Sequence, residues 1–229
     1  MKEVSALEKK LGLDFKDKDI ILQAVTHRSY LNEHPSFHLG HNERLEFLGD
    51  AVIELVVTEY LYEHYPNPEG ELTTWRSALV NAVMLGGIAR DLGVEEDLLL
   101  SRGESKDTES KARMYILANT FEAIVGALYL DQGYEVCKEW IGDKVLTKLP
   151  FILENKLYAD PKSRFQEAAK ERVGVTPAYK VIEEVGPDHA KVFTIAVFLG
   201  SEQVAIGKGT SKQEAQVAAA QGALEKMGW

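Results

Sequence analysis

A single cysteine, Cys137, occurs among 229 residues. One thiol cannot close an internal disulfide, so a disulfide-stapled secreted scaffold is excluded and a reducing, cytoplasmic setting is expected. No apolar stretch approaches the ~18 residues that a membrane-spanning helix needs, and the opening MKEVSALEKK carries charges throughout. Neither secretion nor a membrane partner is expected. Positive charge is also short: 26 Lys plus Arg stand against 36 Asp plus Glu, a formal net charge of −10. Residues 160–229 carry 9 basic and 9 acidic side chains, which leaves 17 basic and 27 acidic before them, so the whole excess lies in the first part. A chain this acidic lacks the basic face that usually binds polyanions, and any nucleic-acid role has to explain how it manages.

Hydrophobic residues make up 45% and charged residues 27%, the balance of a globular protein whose length allows one large domain or two small ones. Up to about Leu149 the apolar residues recur every three or four positions, with Pro35, Gly40, Pro66, Pro68, Gly70, Gly93 and Gly133 between runs. That pattern predicts an all-α domain over 1–150. A polar stretch follows and predicts a linker over 151–159. Residues 160–229 read as a small α+β domain of order α-β-β-β-α. A helical run spans Arg164 to Arg172, and strands are expected around Tyr179 and Val181, then Phe193, Ile195 and Val197, then Val204 and Ile206. Gly186-Pro187-Asp188 and Gly200-Ser201 mark the turns. The last helix begins at Ser211, with Glu214 completing a capping box, and its expected inner face is Ala215, Ala218, Ala219, Gly222 and Ala223.

Two apolar helices carry acids where a core helix has no use for them. In the run from Asn42 to Val57, Glu43, Glu46 and Asp50 fall within about 60° of one another at 100° per residue. In the run from Ile116 to Leu130, Asn119 and Glu122 share a face. If the two faces pack together, Glu46, Asp50, Asn119 and Glu122 form an oxygen-lined site. Such hard donors suit Mg²⁺ or Mn²⁺ better than zinc. The plainer alternative is that each acid is a surface residue paired to a nearby arginine.

The string NERLEFLGDAVIELV at 42–56 resembles the signature of the ribonuclease III family, as do FKDKDIILQAVTHRSY at 15–30, PEGELTTWRSALVN at 68–81 and ILANTFEAIVGALYLDQG at 116–133. GPDHAKVF at 186–193 and GKGTSKQEAQVAAAQGAL at 207–224 resemble a double-stranded RNA-binding domain. The resemblance implies a homodimeric, Mg²⁺-dependent endoribonuclease, with Mn²⁺ able to substitute and no small-molecule cofactor. It implies cleavage of double-stranded RNA to 5′-phosphate ends with two-nucleotide 3′ overhangs, in ribosomal RNA processing and messenger decay. By motif, Glu46, Asp50 and Glu122 match the metal-binding acids, Asp50 and Glu122 being central to catalysis, while Glu43 and Glu69 match supporting acids of the same dimer valley. Asn119 stands where the family usually has aspartate. Its amide oxygen can ligate but adds no charge, so metal should be held more weakly.

For RNA binding the resemblance implies Ser163, Gln166 and Glu167 on the first helix of the small domain, His189 between strands, and Ser211 with Lys212 at the last helix. Lys208, Ser211 and Lys212 stand at a helix N-terminus, where amides and dipole favour phosphate. Gln213 occupies a position where the family usually offers another lysine. The charge question then has an answer: RNA enters the acidic valley once divalent cations are bound, and the neutral second domain supplies the grip. Two alternatives stay open. One is a duplex-binding protein that has lost cleavage through Asn119, and the other a metal-dependent hydrolase of a different substrate. A zinc site at His34, His38 and His41 is set aside, because no cysteine is near and Pro35 and Gly40 make that stretch a loop.

Overall fold

The computed structural model describes residues 4–108, 110–187 and 191–229. It divides into two compact units, Met1–Tyr158 and Ala159–Trp229. The first is all helical: α1 (Val4–Leu11), α2 (Lys18–Ala24), α3 (Arg28–Glu33), α4 (Glu43–His64), α5 (Glu69–Val80), α6 (Ala82–Asp91), α7 (Lys111–Gln132), α8 (Tyr134–Lys144) and α9 (Leu149–Glu154). The second is α10 (Pro161–Val173), β1 (Ala178–Val185), β2 (Val192–Leu199), β3 (Glu202–Gly209) and α11 (Lys212–Met227). No helix among the described residues is long and apolar enough to cross a membrane.

The first unit is built around α7. Leu117, Ala118, Phe121, Ile124, Val125 and Leu128 of this helix are all at most 1% exposed, a wide apolar face of the kind a helix at the centre of a core presents. α4 lies along it, contributing Val52, Ile53, Val56 and Val57 to the same core. Two glycines set how closely they approach. A methyl group added to Gly49 would overlap the carbonyl oxygen of Glu122, and one added to Gly126 would overlap that of Leu45. The backbones of α4 and α7 therefore touch at this crossing, and no residue with a Cβ fits there. Gly126→Ala is expected to cost about 3 kcal/mol or more by forcing the helices apart, seen as a melting temperature lower by roughly 6 °C or more. An unchanged melt would mean that the crossing is looser than described.

Residues 151–158, where the sequence pattern predicts a linker, instead close this unit. Ile152 is fully buried, and the Tyr158 ring lies 6.1 Å from that of Trp75. Leu153 and Tyr158 pack against the same core, while Phe151 stays 61% exposed, so it is Ile152, Leu153 and Tyr158 that gain more from burial than a solvated linker would.

In the second unit the three strands pair antiparallel in the order β1-β2-β3. Gly200, at φ 62°, makes the tight turn from β2 to β3, a conformation that glycine adopts freely. Added methyl groups at Gly207 and Gly209 would strike the α11 backbone, so β3 lies directly against that helix. The two-residue alternation then turns Ile206 outward, 48% exposed, and Val181 on the edge strand is 45% exposed beside a register shift between Val181 and Glu183. Neither joins the core that the alternation predicts. The buried stripe of α11 is Ala215, Ala219, Ala220, Ala223 and Leu224, not the expected set: Ala218 is exposed and Gly222 half-buried. The rotation brings Leu224 into the cluster around Phe165, which buries more surface than Ala218 could.

Candidate active site and RNA-binding faces

The Gly49–Gly126 contact explains how acids from two helices come together. Glu46 lies about one turn before Gly49 on α4 and Asp50 directly follows it, and Asn119 and Glu122 stand on the facing stretch of α7. Glu46, Asn119 and Glu122 are half-buried, and Asp50 is exposed. Burial pushes the Glu122 carboxyl up to about 7, with the charges of Asp50 and then Glu46 adding to the shift. Glu46 is raised in the same way, by burial first and then by Glu43, while a hydrogen bond from the Asn119 side chain opposes the shift. Only the Asn119 amide N–H can donate to a carboxylate, so its oxygen is left for another partner. An aspartate at 119 would repel Glu46 instead.

Among the described residues no three His, Cys, Asp or Glu side chains are gathered into a ready metal cage. The donors nevertheless fit a hard divalent cation in kind: three carboxylates and one amide, all oxygen, electrostatically coupled across one helix crossing. Mutual repulsion keeps such groups apart, or partly protonated, until a cation offsets it.

Glu43 forms the rim. Its two oxygens lie 3.6 Å from Arg28 Nη1 and 3.7 Å from His41 Nδ1. Here the plainer alternative of an acid paired to an arginine holds in part. Glu69 is not among the charges acting on Glu46 or Glu122. It opens α5, accepts a hydrogen bond from Thr73 Oγ1 at 2.9 Å, and lines a separate cavity of about 460 Å³ with Thr58, Tyr62 and Arg76. Within one chain it stands apart from the other acids. The three histidines do not converge either: His34 stacks on Tyr30 at 3.9 Å, and His38 pairs with Asp19 at 3.6 Å.

In the second unit Ser163, Gln166 and Glu167 line a shallow pocket on the solvent side of α10 together with Lys170, opposite the buried Phe165 and Ala169. Ser211 caps α11 by accepting from Glu214 N at 3.1 Å. Glu214 reaches back to Thr210, accepting from its N–H at 2.9 Å and its hydroxyl at 2.7 Å, so the capping box closes one residue earlier than its pattern predicts. Lys212, the first residue of α11, sits over the Phe193 ring at 5.6 Å, and Lys208 is exposed on β3. His189 lies outside the described residues.

Comparison with known proteins agrees with this division. Residues 17–149 match a ribonuclease-III-like family and residues 161–227 a double-stranded RNA binding motif. The chain is 41% identical over 229 residues to ribonuclease 3 of Roseiflexus sp., covering 99% of this chain and 96% of that protein. The chain belongs to the ribonuclease III family. It is 43% identical to ribonuclease 3 of Natranaerobius thermophilus, covering 99% of this chain and 97% of that one. The crystal structure of the nuclease domain of ribonuclease III from Campylobacter jejuni superposes with a TM-score of 0.57 at 36% identity, covering 66% of this chain and 98% of that domain. The enzyme is thus an endoribonuclease whose helical nuclease unit is followed by a double-stranded RNA-binding module. The feature that sequence reading overlooked is the glycine pair. Two glycines inside otherwise apolar helices, each within four residues of an acid, are a visible signal of close helix approach.

Proposed function

We propose that this chain, as a homodimer, hydrolyses both strands of duplex RNA with a divalent cation, Mg²⁺ or Mn²⁺, held by Glu46, Asp50, Asn119 and Glu122. The observation that carries this reading is the gathering of Glu46, Asp50 and Glu122 at the α4–α7 contact, where burial first, and then the charges of Asp50 and Glu46, push the Glu122 carboxyl up to about 7. When bound, the cation would lower the pKa of an attacking water and offset charge on the phosphodiester oxygens. The side chains have separate tasks. Asp50, the most exposed of the set, meets solvent and substrate. Asn119 orients Glu46 through its N–H, and Glu122 surrenders its proton on loading, with Glu43 shaping the rim. Ser163, Gln166, Glu167, His189, Lys208, Ser211 and Lys212 would grip A-form RNA by its 2′-hydroxyls and phosphates, to yield 5′-phosphate ends with two-nucleotide 3′ overhangs, the form suited to ribosomal RNA processing and messenger decay.

The exposed surface of α4 supports the dimer. Phe47 is 81% exposed, Leu55 56% and Tyr62 80%, and at 100° per residue the three lie within about 80° of one another. A large apolar stripe left in water beside the acidic face is an association surface. For the Campylobacter jejuni nuclease domain a region involved in dimer formation is described. Phe47→Asp is expected to weaken dimerisation by about 30-fold or more, corresponding to a hot-spot loss of about 2 kcal/mol. Sedimentation equilibrium measures it, and an unchanged dimer would place the interface elsewhere.

Incubation with a long RNA duplex tests the proposal as a whole. Short products with recessed 5′ ends are expected in Mg²⁺ and none in Ca²⁺. Retention without cutting in either cation would instead make the chain a duplex binder silenced at Asn119.

A further inference from the structure

The stretch Thr26-His27-Arg28-Ser29 has no task in the site described above, yet it is tied down on two sides. Toward the start of α4, Asn42 N donates to Thr26 O at 2.9 Å, and Asn42 Nδ2 donates to Ala24 O at 3.2 Å. Toward the segment after α6, His27 N donates to Leu99 O at 3.0 Å and Ser101 N to Ser29 Oγ at 3.1 Å. Thr26 and Asn42 are at most 2% exposed, and the His27 ring caps α3 by accepting from Ser29 N at 3.3 Å. The backbone that carries Arg28 is therefore fixed relative to the acidic helix.

Its guanidinium is not. The Arg28 side chain is 71% exposed and meets Glu43 at 3.6 Å, beyond the roughly 2.7–2.9 Å of a charge-assisted hydrogen bond. Glu43 is shared with His41 at 3.7 Å. An exposed pair at that separation contributes little to stability. A phosphodiester offers the planar guanidinium two oxygens in matching geometry. The surrounding unit is acidic, so a duplex approaching this face needs a cation placed beside the acids.

We propose that Arg28 is an RNA-binding residue that exchanges Glu43 for a backbone phosphate of the duplex at the edge of the acidic face. The inference rests on the function proposed above and adds a contact outside the metal-binding set and outside the second unit. Until RNA arrives the guanidinium stays near Glu43 without a close hydrogen bond, so it is free to turn to a phosphate. Lysine at this position would keep the charge and lose the fork.

The test measures equilibrium binding of an RNA duplex of about 30 base pairs in Ca²⁺ over a KCl series, for the parent chain, R28A and R28K, with melting curves as folding controls. Each phosphate contact contributes about 0.9 to the slope of log affinity against log salt. R28A is expected to lower the slope by about 0.9 for each Arg28 that engages the duplex, and to raise the KM for cleavage in Mg²⁺ about tenfold with kcat within twofold. R28K is expected to restore the slope but only part of the affinity. An R28A slope equal to that of the parent chain, even with slower cleavage, would make Arg28 a brace for Glu43 and overturn the proposal. Failure of the parent chain to cut would overturn the proposed function instead, while the slope would still decide whether Arg28 touches phosphate.

Discussion

Replacing Glu122 by glutamine is expected to lower the rate of duplex cleavage by at least ~10³-fold, about 4 kcal/mol of transition-state stabilisation, while duplex affinity in Ca²⁺ stays within about twofold. The substitution keeps the shape of the side chain and removes one of three coupled carboxylates. The loss should not be recovered at high Mg²⁺, because an amide at 122 beside Asn119 would leave α7 with no anionic ligand in the site. The same variant reports on stability. Glu122 titrates at about 7 in the folded chain against an ordinary value of 4.5. Between those two values the folded state binds more protons than the unfolded state, so metal-free stability falls as pH rises from about 4.5 to about 7. The melting temperature of the metal-free parent is expected to drop across that window, and that of E122Q to drop less. Parallel curves would show that Glu122 is not a strained acid.

Asn119→Asp carries the second large effect. A fourth carboxylate adds charge toward a cation, and half-maximal activity is expected at about tenfold lower Mg²⁺ above pH 8. The cost appears at lower pH. An aspartate cannot donate to Glu46, as the asparagine does, and its own charge raises both Glu46 and Glu122 further. Protons then compete with the cation over a wider range, so the acid limb of the pH–rate profile should move to higher pH in N119D. Mg²⁺ titrations at several pH values check both halves. Superimposed curves for the two proteins would remove position 119 from the ligand set.

Much of this site is legible in the sequence because its logic is helical. Glu43, Glu46 and Asp50 share a face by spacing alone, and acids within the most apolar runs have no structural reason to be there. What spacing cannot give is the distance between two helices, and here that depends on what is missing at Gly49 and Gly126. Nor can it show that Glu69 stands apart from the other acids, since nothing local fixes where α5 lies relative to α7. In the second unit the element order follows from periodicity and turn residues, whereas the burial pattern departs from alternation. Val181 lies beside a bulge on an edge strand, and Ile206 is turned outward because Gly207 must face α11. The same kind of tertiary preference rotates α11 to bury Leu224 in place of Ala218. Residues 151–158 look solvated by composition, but Ile152, Leu153 and Tyr158 are enough to pin them to the core.

Crystals grown or soaked with Mn²⁺ offer the most direct measurement, an anomalous difference map of the nuclease unit. A peak is expected between α4 and α7, bounded by Glu46, Asp50, Asn119 and Glu122, and it should vanish in E122Q crystals treated identically. A clean map at that crossing, in a protein that still cuts duplex RNA in Mn²⁺, would show that the cation is held elsewhere and that the coupled acids are not its ligands.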